Sequence, residues 1–196
     1  IYVKGDFIMT KAREWTEEEK QWMTDNLSYV PETGDLVWKE VASSVNNLTR
    51  TTGSVAGALN KLGYLRIFSH VEGKKYTYRA HRIVWFLNYG EVPSIIDHIN
   101  GNKLDNRIEN LRATTQYLNL RNQKKTVGSS SIYKGVHYHK ARNNYVASLR
   151  RNYKKQHIGT SKLEVEAAQM YDKWIEDNLT PLERQYSKTN KELGLL

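Results

Sequence analysis

The stretch from residue 95 to residue 119 constrains the fold more than any other part of this 196-residue chain. It begins as a short apolar strand that ends in Asp97 and His98, and a loop rich in Asn, Gly and Asp follows. These residues favour turns and tolerate positive φ. A second short strand, residues 111–114, leads into a helix that Thr115 can cap. We therefore expect a β-hairpin that is followed directly by a helix.

Such a unit can bring a carboxylate and a carboxamide oxygen onto one hard cation. Asp97 supplies the carboxylate, and Asn119, one turn inside the helix, supplies the carboxamide. Mg²⁺ prefers oxygen ligands and keeps positions open for water and substrate phosphate. His98 can take a proton from water, because a neutral imidazole is a base near neutral pH. These groups suit phosphodiester hydrolysis, although an Asp-His pair or an Asn-Gly cluster taken alone is also typical of an ordinary turn.

The groups form one ordered motif, which reads Asp97-His98-x-x-Gly101-Asn102, then Asn110-Leu111-Arg112, then Asn119-x-x-Asn122. This motif resembles that of HNH endonucleases in the Asp-His/Asn/Asn form, and the small phage and intron-associated homing-type enzymes in particular. The resemblance implies that Asp97 and Asn119 bind the metal, that His98 is the general base and that Asn110 braces the loop. It also implies one Mg²⁺ (or Mn²⁺) per active site. Because the family often has His where Asn119 stands, a Zn²⁺-type ligand set is not expected here.

The segment before the hairpin is similar to the helix that precedes the motif in this family. It contains His81 and Arg82. We expect His81, Arg82 and Asn122 to lie behind the metal ligands or to contact phosphate, since a lone His more often has a structural use than a metal-binding one. The short strands further upstream carry several cations, which either reach the DNA backbone or are ordinary exposed positions.

The charge of the chain is concentrated in one block. Between Glu109 and Glu164 there is no Asp or Glu, whereas the net charge of the whole chain is +9. A basic block of this length indicates a polyanionic partner, most of all double-stranded DNA. A membrane surface is the weaker alternative, because no basic amphipathic helix and no apolar run of about 20 residues accompany the charge. We expect neither a membrane nor a small-molecule substrate. At the start of the block, the residues predicted to contact DNA are Arg121, Lys124 and Lys125.

The C-terminal part predicts three strands, near residues 133–138, 145–151 and 154–158, and then a helix. The runs that carry the pattern are Tyr133-Lys134-Gly135-Val136, Tyr145 to Arg150, His157 to Thr160 and Glu166 to Asp172. They resemble the APETALA/ethylene-response-factor (AP2/ERF) DNA-binding domain, in which a three-stranded sheet lies in the major groove with the helix behind it. A groove roughly 12 Å wide admits such a sheet. Carried over by position, the contacting residues are Lys134, His137, Ser148, Arg150, Lys155 and His157. At several of these positions the family has other residue types, so no target sequence is predicted.

The expected fold class is α+β, a ββα-metal HNH domain plus a three-stranded antiparallel sheet with one packing helix. A capping box at Thr16 and Glu19 predicts an N-terminal helix, and Pro31 to Gly34 predict the turn of a hairpin. The predicted domain ranges are an N-terminal leader with that helix at 1–26, the HNH domain at 27–123 with its core about 94–122, a basic linker at 124–132, the AP2/ERF-like domain at 133–178 and a tail at 179–196.

The hypothesis that follows is a metal-dependent DNA endonuclease that cuts or nicks duplex DNA. Two alternatives stay open, a non-enzymatic sequence-specific DNA-binding regulator and a nuclease for RNA or branched DNA. One metal hairpin per chain predicts nicking by a monomer, and a double-strand break then needs a dimer or two cuts. The chain has no Cys, which excludes disulfides and thiol nucleophiles. We expect a cytoplasmic protein of a bacterial host if the gene belongs to a phage or an intron, with Met9 as a plausible native start.

Overall fold

A computed structural model describes residues 13–39, 51–122, 128–151 and 154–196 of the chain. These residues form small antiparallel sheets and helices, in agreement with the predicted α+β class. The chain divides into two compact units, residues 1–114 and 115–196. Lys124 and Lys125, which are predicted to contact DNA, lie outside the described residues. Within the described ranges, no helix has the length and apolar character that a bilayer crossing requires.

The first unit contains two hairpins and a three-stranded sheet, all antiparallel. Its elements in chain order are α1 (Glu17–Asn26), β1 (Leu27–Val30), β2 (Asp35–Trp38), β3 (Ala58–Leu59), β4 (Leu65–Val71), β5 (Lys74–Arg79), α2 (Ala80–Tyr89), β6 (Ile95–His98), a 3-10 turn (Ile108–Asn110) and β7 (Leu111–Thr114).

Local sequence signals fix several of these boundaries. At the start of α1, the Thr16 hydroxyl accepts a hydrogen bond from the backbone N–H of Glu19, and the Glu19 carboxylate accepts one from the backbone N–H of Thr16. This is the predicted capping box. The turn between β1 and β2 places Gly34 at φ +81°, a conformation that costs Gly little. Helix α2 likewise ends at Gly90, which has φ +75°.

The hairpin of β6 and β7 is anchored in the core of the first unit. Ile96 and Leu111 belong to the same buried cluster as Ile67 and Ile83. In the register of this hairpin, His98 lies opposite Leu111 and Asp97 lies opposite Arg112. Successive side chains of a strand point to opposite faces. His98 therefore points toward the core side of the hairpin, whereas Asp97 shares the other face with Arg112.

The second unit has a three-stranded sheet with one helix packed on it, as the sequence predicts. Its elements are α3 (Gln116–Asn122), β8 (Val136–His139), a 3-10 turn (Lys140–Arg142), β9 (Asn144–Arg151), β10 (Lys154–Ser161), α4 (Glu164–Asn178) and the short α5 (Pro181–Arg184). The strand order is β10-β9-β8. Ala168 and Ile175 of α4 pack with Val136 and Ala147 of the sheet.

The residues after α4 are part of the packed second unit. Asn190 is fully buried, and its backbone N–H donates to the Asp172 carboxylate at 2.7 Å. Its side chain bonds to both backbone groups of Lys134, with 2.6 Å to the N–H and 3.2 Å to the carbonyl. The segment 179–196, predicted as a tail, therefore packs against the second unit just before the start of β8.

Helix α3 belongs to the second unit, because its side chains form hydrogen bonds with residues of that unit. Tyr117 and Arg121 of α3 both bond to Glu183, and Arg121 also donates to Ser187. The predicted ββα core at about 94–122 spans the division between Thr114 and Thr115. The predicted domain ranges remain predictions.

Candidate active site

The candidate general base, His98, is buried and hydrogen-bonded to the side-chain amide of Asn106. Only 4% of the residue is exposed, and its Nε2 lies 3.1 Å from the Oδ1 of Asn106. A carboxamide oxygen only accepts hydrogen bonds, so the bond requires a proton on Nε2. A neutral imidazole protonated there has its lone pair on Nδ1. Asn106 thus selects the tautomer in which Nδ1 can accept a proton from water.

Burial also keeps this imidazole neutral. It lowers the pKa of His98 below its ordinary value, against the opposing effects of the Asn106 hydrogen bond and the nearby Asp97. The ring of His81 lies 5.0 Å from that of His98, edge to face. Burial, together with the charge of His98 and two arginines, lowers the pKa of His81 to about 3. The predicted place of His81 behind the site fits this contact, because a neutral His81 packs on the base without competing for protons.

Asp97, the candidate carboxylate ligand, is oriented by a cross-strand ion pair. Its Oδ2 accepts hydrogen bonds from Arg112 Nε at 3.0 Å and from Arg112 Nη2 at 2.7 Å. Only 7% of Asp97 is exposed. A buried carboxylate needs such a partner, since an uncompensated charge in this position is costly. The pair fixes the orientation of the Asp97 carboxylate, an oxygen ligand of the kind that a hard cation prefers.

Asn110 ties the two ends of the loop between β6 and β7 together. Its Oδ1 accepts from the backbone N–H of Asn100 at 3.0 Å, and its Nδ2 donates to the carbonyl of Asp105 at 2.7 Å. Its own carbonyl accepts from the N–H of Ile99 at 2.8 Å. These bonds are of the kind that braces a loop, the role that the resemblance implies for Asn110. Its part in catalysis remains a prediction.

Other contacts fix the same loop from outside. Arg107 binds both oxygens of Asp105 at 2.8 Å, and this hydrogen-bonded guanidinium lowers the pKa of Asp105 to about 2. A Cβ on Gly34 would lie 2.4 Å from the Arg107 nitrogen and 2.7 Å from the Asn106 carbonyl carbon. The turn of the first hairpin therefore packs directly on the backbone beside Asn106. Asn106 could not be identified from the sequence, because nothing distinguishes it from the other Asn residues of this loop.

The remaining motif residues lie on α2 and α3. Arg82 donates to the carbonyls of Pro93 and Ser94 at 3.1 and 3.3 Å, so it supports the entry to β6. Asn119 lies within α3 and is half-buried, and Asn122 is the last residue of that helix. Within the second unit, Thr115 Oγ1 accepts from the N–H of Leu118 at 3.3 Å, as expected of the predicted cap.

The donor chemistry of the motif fits a hard cation. Asp97 and Asn119 offer carboxylate and carboxamide oxygens, which Mg²⁺ and Mn²⁺ accept. Among the residues that the structure describes, there is no group of three or more His, Cys, Asp or Glu side chains that is able to hold a metal. The predicted ligand set of one carboxylate and one carboxamide therefore differs from metal sites that are built from several His, Cys or acidic side chains.

Two residues predicted to contact DNA are instead built into the second unit. The Arg121 side chain is 7% exposed and pairs with Glu183 at 3.3 Å. Lys134 Nζ donates to the carbonyl of Arg121 at 2.9 Å, and burial lowers the pKa of Lys134 to about 8. Both side chains have partners inside the unit, and a DNA contact of Arg121 or Lys134 remains a prediction. A basic residue type alone does not reveal that its charge is used inside the fold.

The five other predicted sheet contacts share one face. Arg150 lies opposite Lys155 and Ser148 opposite His157, while His137 lies opposite Val146 on the neighbouring strand. Residues directly opposite each other, and residues two apart on one strand, point to the same face. The other face, with Ala147, packs on α4. Arg150, Lys155 and His157 are exposed, whereas His137 and Ser148 are half-buried.

Comparison with known proteins supports the first part of the motif assignment. Residues 78–121 match the HNH endonuclease family. This segment is similar in sequence to that family, and it contains His81, Asp97, His98, Asn110 and Asn119. The match does not extend to the C-terminal sheet, so the AP2/ERF-type assignment remains a prediction.

A solved structure, described as "DNA binding and cleavage by the HNH homing endonuclease I-HmuI", is similar to part of the chain. It is 27% identical, and the aligned region covers 50% of this chain and 51% of that chain with a TM-score of 0.36. The chain thus spans about half the length of that protein. None of the curated proteins matches.

Proposed function

We propose that the protein is a metal-dependent endonuclease that hydrolyses phosphodiester bonds of double-stranded DNA. The observation that carries the proposal is the buried, neutral His98, which lies in an HNH-matching segment next to the ion-paired Asp97. A neutral imidazole in a fixed tautomer is suited to act as a general base.

In the proposed reaction, Nδ1 of His98 takes a proton from a water molecule. The resulting hydroxide attacks the phosphorus, and the 3′ oxygen leaves with its bonding electron pair. Asn106 keeps Nδ1 in the basic form, and Asn110 holds the loop that carries Asn106. Asp97 and Asn119 are the proposed ligands of one Mg²⁺ or Mn²⁺, which when bound would stabilise the charge on the phosphate and on the leaving oxygen.

The C-terminal sheet is the proposed source of DNA affinity. Its face opposite α4 carries the exposed Arg150, Lys155 and His157. Arginine and lysine side chains contact backbone phosphates, and side chains on a sheet in the major groove can read base edges. An AP2/ERF-type mode of binding is part of this proposal. A short tether between two DNA-binding parts gives the second an effective concentration of about millimolar.

The experiment is cleavage of supercoiled plasmid DNA in Mg²⁺, in Mn²⁺ and in EDTA. The wild type should produce nicked or linear DNA only with a metal present. Asp97→Ala should abolish this activity, whereas Asp25→Ala, a change at an exposed position of α1, should leave it intact.

If the wild type binds DNA without cutting it, the protein is instead a non-enzymatic DNA-binding regulator. Faster cutting of RNA or branched DNA on the same gel would replace the proposed substrate. Uncut plasmid in both metals, or full activity of Asp97→Ala, contradicts the proposal.

A further inference from the structure

Two cationic side chains lie against an aromatic ring beside His98, and the proposed mechanism uses neither of them. The Arg79 Cζ and the Lys103 Nζ each lie 4.7 Å from the centroid of the Tyr64 ring. That ring is 6.2 Å from the ring of His98. Arg66 lies directly opposite Arg79 in the pairing of β4 with β5. We call Tyr64, Arg66, Arg79 and Lys103 the Tyr64 cluster.

The cationic side chains of the Tyr64 cluster are not paired with acidic side chains in the described part of the chain. Among the residues that the structure describes, no carboxylate lies within ion-pair distance of Arg66, Arg79 or Lys103. Lys103 is held instead by the Tyr64 ring and by the carbonyl of Leu62, which accepts from its Nζ at 2.9 Å. A ring and a carbonyl fix the position of a cation without cancelling its charge. The positive potential of Arg66, Arg79 and Lys103 is therefore available to an anion.

The pairing within the cluster is unfavourable for the protein alone. Like charges directly opposite each other on neighbouring strands destabilise a sheet. The Arg66 guanidinium lies over the Phe68 ring, with its Cζ 5.4 Å from the ring centroid, so an aromatic ring holds it as one holds Arg79. A bound anion would relieve the repulsion between Arg66 and Arg79.

We propose that the Tyr64 cluster binds a backbone phosphate of the DNA strand that is cut, and so positions that strand at His98. The inference rests on the proposed function, because DNA supplies the anion. Arg79 and Lys103 are exposed and can reach a polyanion, and a duplex presents regularly spaced phosphates. Tyr64 holds the two cations beside the base, which makes these residues positioning groups. The cluster would bind any DNA sequence, since phosphate contacts carry no base information.

The test compares single-charge variants of the full chain. Arg79→Gln and Lys103→Gln each remove one cluster charge, and Lys75→Gln removes one from the same strand as Arg79, four residues away. DNA binding is measured by fluorescence anisotropy over a range of salt concentrations. Single-turnover cleavage in Mg²⁺ is measured at saturating protein.

Each cluster variant should weaken binding about tenfold, since it removes a charged hydrogen bond. Each should also reduce the slope of log affinity against log salt by about 0.9, the value for one phosphate contact. Lys75→Gln should keep the wild-type slope and cleavage rate. At saturating protein, the cleavage rate should fall in the cluster variants, and Lys103→Arg should restore most of it.

Equal salt slopes and equal rates for the wild type, Lys75→Gln and both cluster variants would overturn the inference. A wild type that binds DNA but does not cut it would overturn the proposed function alone, because the salt slopes still report on the phosphate contact. Reduced slopes in that case would support the cluster as a DNA-binding site.

Discussion

The Nε2 of His98 and the Oδ1 of Asn106 lie 3.1 Å apart, and both residues are almost completely buried. This hydrogen bond favours the tautomer in which Nδ1 is the basic ring nitrogen. It links the chemistry of the hairpin to a loop residue that lies eight positions further along the chain.

Asn106→Ala should slow DNA cleavage by at least about tenfold, because the ring of His98 loses the acceptor that fixes its tautomer. DNA binding should be unchanged, since Asn106 is 2% exposed and cannot reach the duplex. The control is Leu104→Ala, at an exposed position of the same loop. The measurement is the single-turnover rate at saturating protein. Equal rates for the two variants would contradict the assignment.

Gly34→Ala should destabilise the first unit much more than Gly53→Ala. Both glycines have φ near +80°, so both variants carry a left-handed backbone cost of about 1 kcal/mol. A Cβ at Gly34 also meets the Arg107 nitrogen at 2.4 Å, whereas nothing lies within 4 Å of one at Gly53. The extra loss should exceed about 1 kcal/mol in urea unfolding. Equal losses would show that the turn does not pack on the loop.

The buried Glu19 should make the first unit sensitive to acid. Burial alone would raise its pKa, but hydrogen bonds from Arg13, Tyr78 and the Thr16 backbone outweigh this and lower it from 4.5. A lowered carboxyl pKa means that the ionised form stabilises the fold. This contribution is complete above pH 4.5 and is lost as the pH falls through the lowered pKa.

Glu19→Gln should therefore lower the free energy of unfolding at pH 7 by about 2 kcal/mol. The difference from the wild type should shrink once the pH falls below 4.5. Glu17→Gln is the control, because the Glu17 side chain is 84% exposed. Unfolding in urea at pH 7 and at acidic pH provides the data. A difference that stays constant with pH would contradict the ion-pair explanation.

The double variant Arg150→Ala/Lys155→Ala should weaken DNA binding, because it removes about two phosphate contacts. The slope of log affinity against log salt should fall by about 1.8. The control, Lys173→Ala/Lys191→Ala, also removes two exposed charges from the second unit, outside its sheet. Fluorescence anisotropy at several salt concentrations measures both. If the two double variants lose equal affinity, the sheet face is not the DNA-binding surface.

Much of the candidate site could be predicted from the sequence because its signals are local. The Thr16 capping box, the Gly34 turn and the hairpin that ends in Asp97 and His98 each depend on residues close together in the chain. The runs of strand-forming residues likewise predicted the three C-terminal strands, whereas the predicted contact residues of the sheet came from the AP2/ERF resemblance.

Contacts between distant residues could not be predicted in this way. Arg121 has a basic side chain in a basic stretch of the sequence. Its ion-pair partner Glu183 lies 62 positions away, and this pair is buried within the second unit. The same holds for Tyr29, whose hydroxyl accepts from the N–H of Ile108, 79 positions further on. Asn106 was missed because its role depends on which Asn of the loop reaches His98, and composition does not decide that.

The most direct test of His98 as the base is the rate of plasmid cleavage by His98→Ala in Mg²⁺, measured at equal DNA occupancy with the wild type. The variant should bind DNA as the wild type does. Its cleavage rate should be lower by at least about a hundredfold, the usual contribution of a general base. Cleavage by His98→Ala at the wild-type rate would contradict the assignment of His98 as the base.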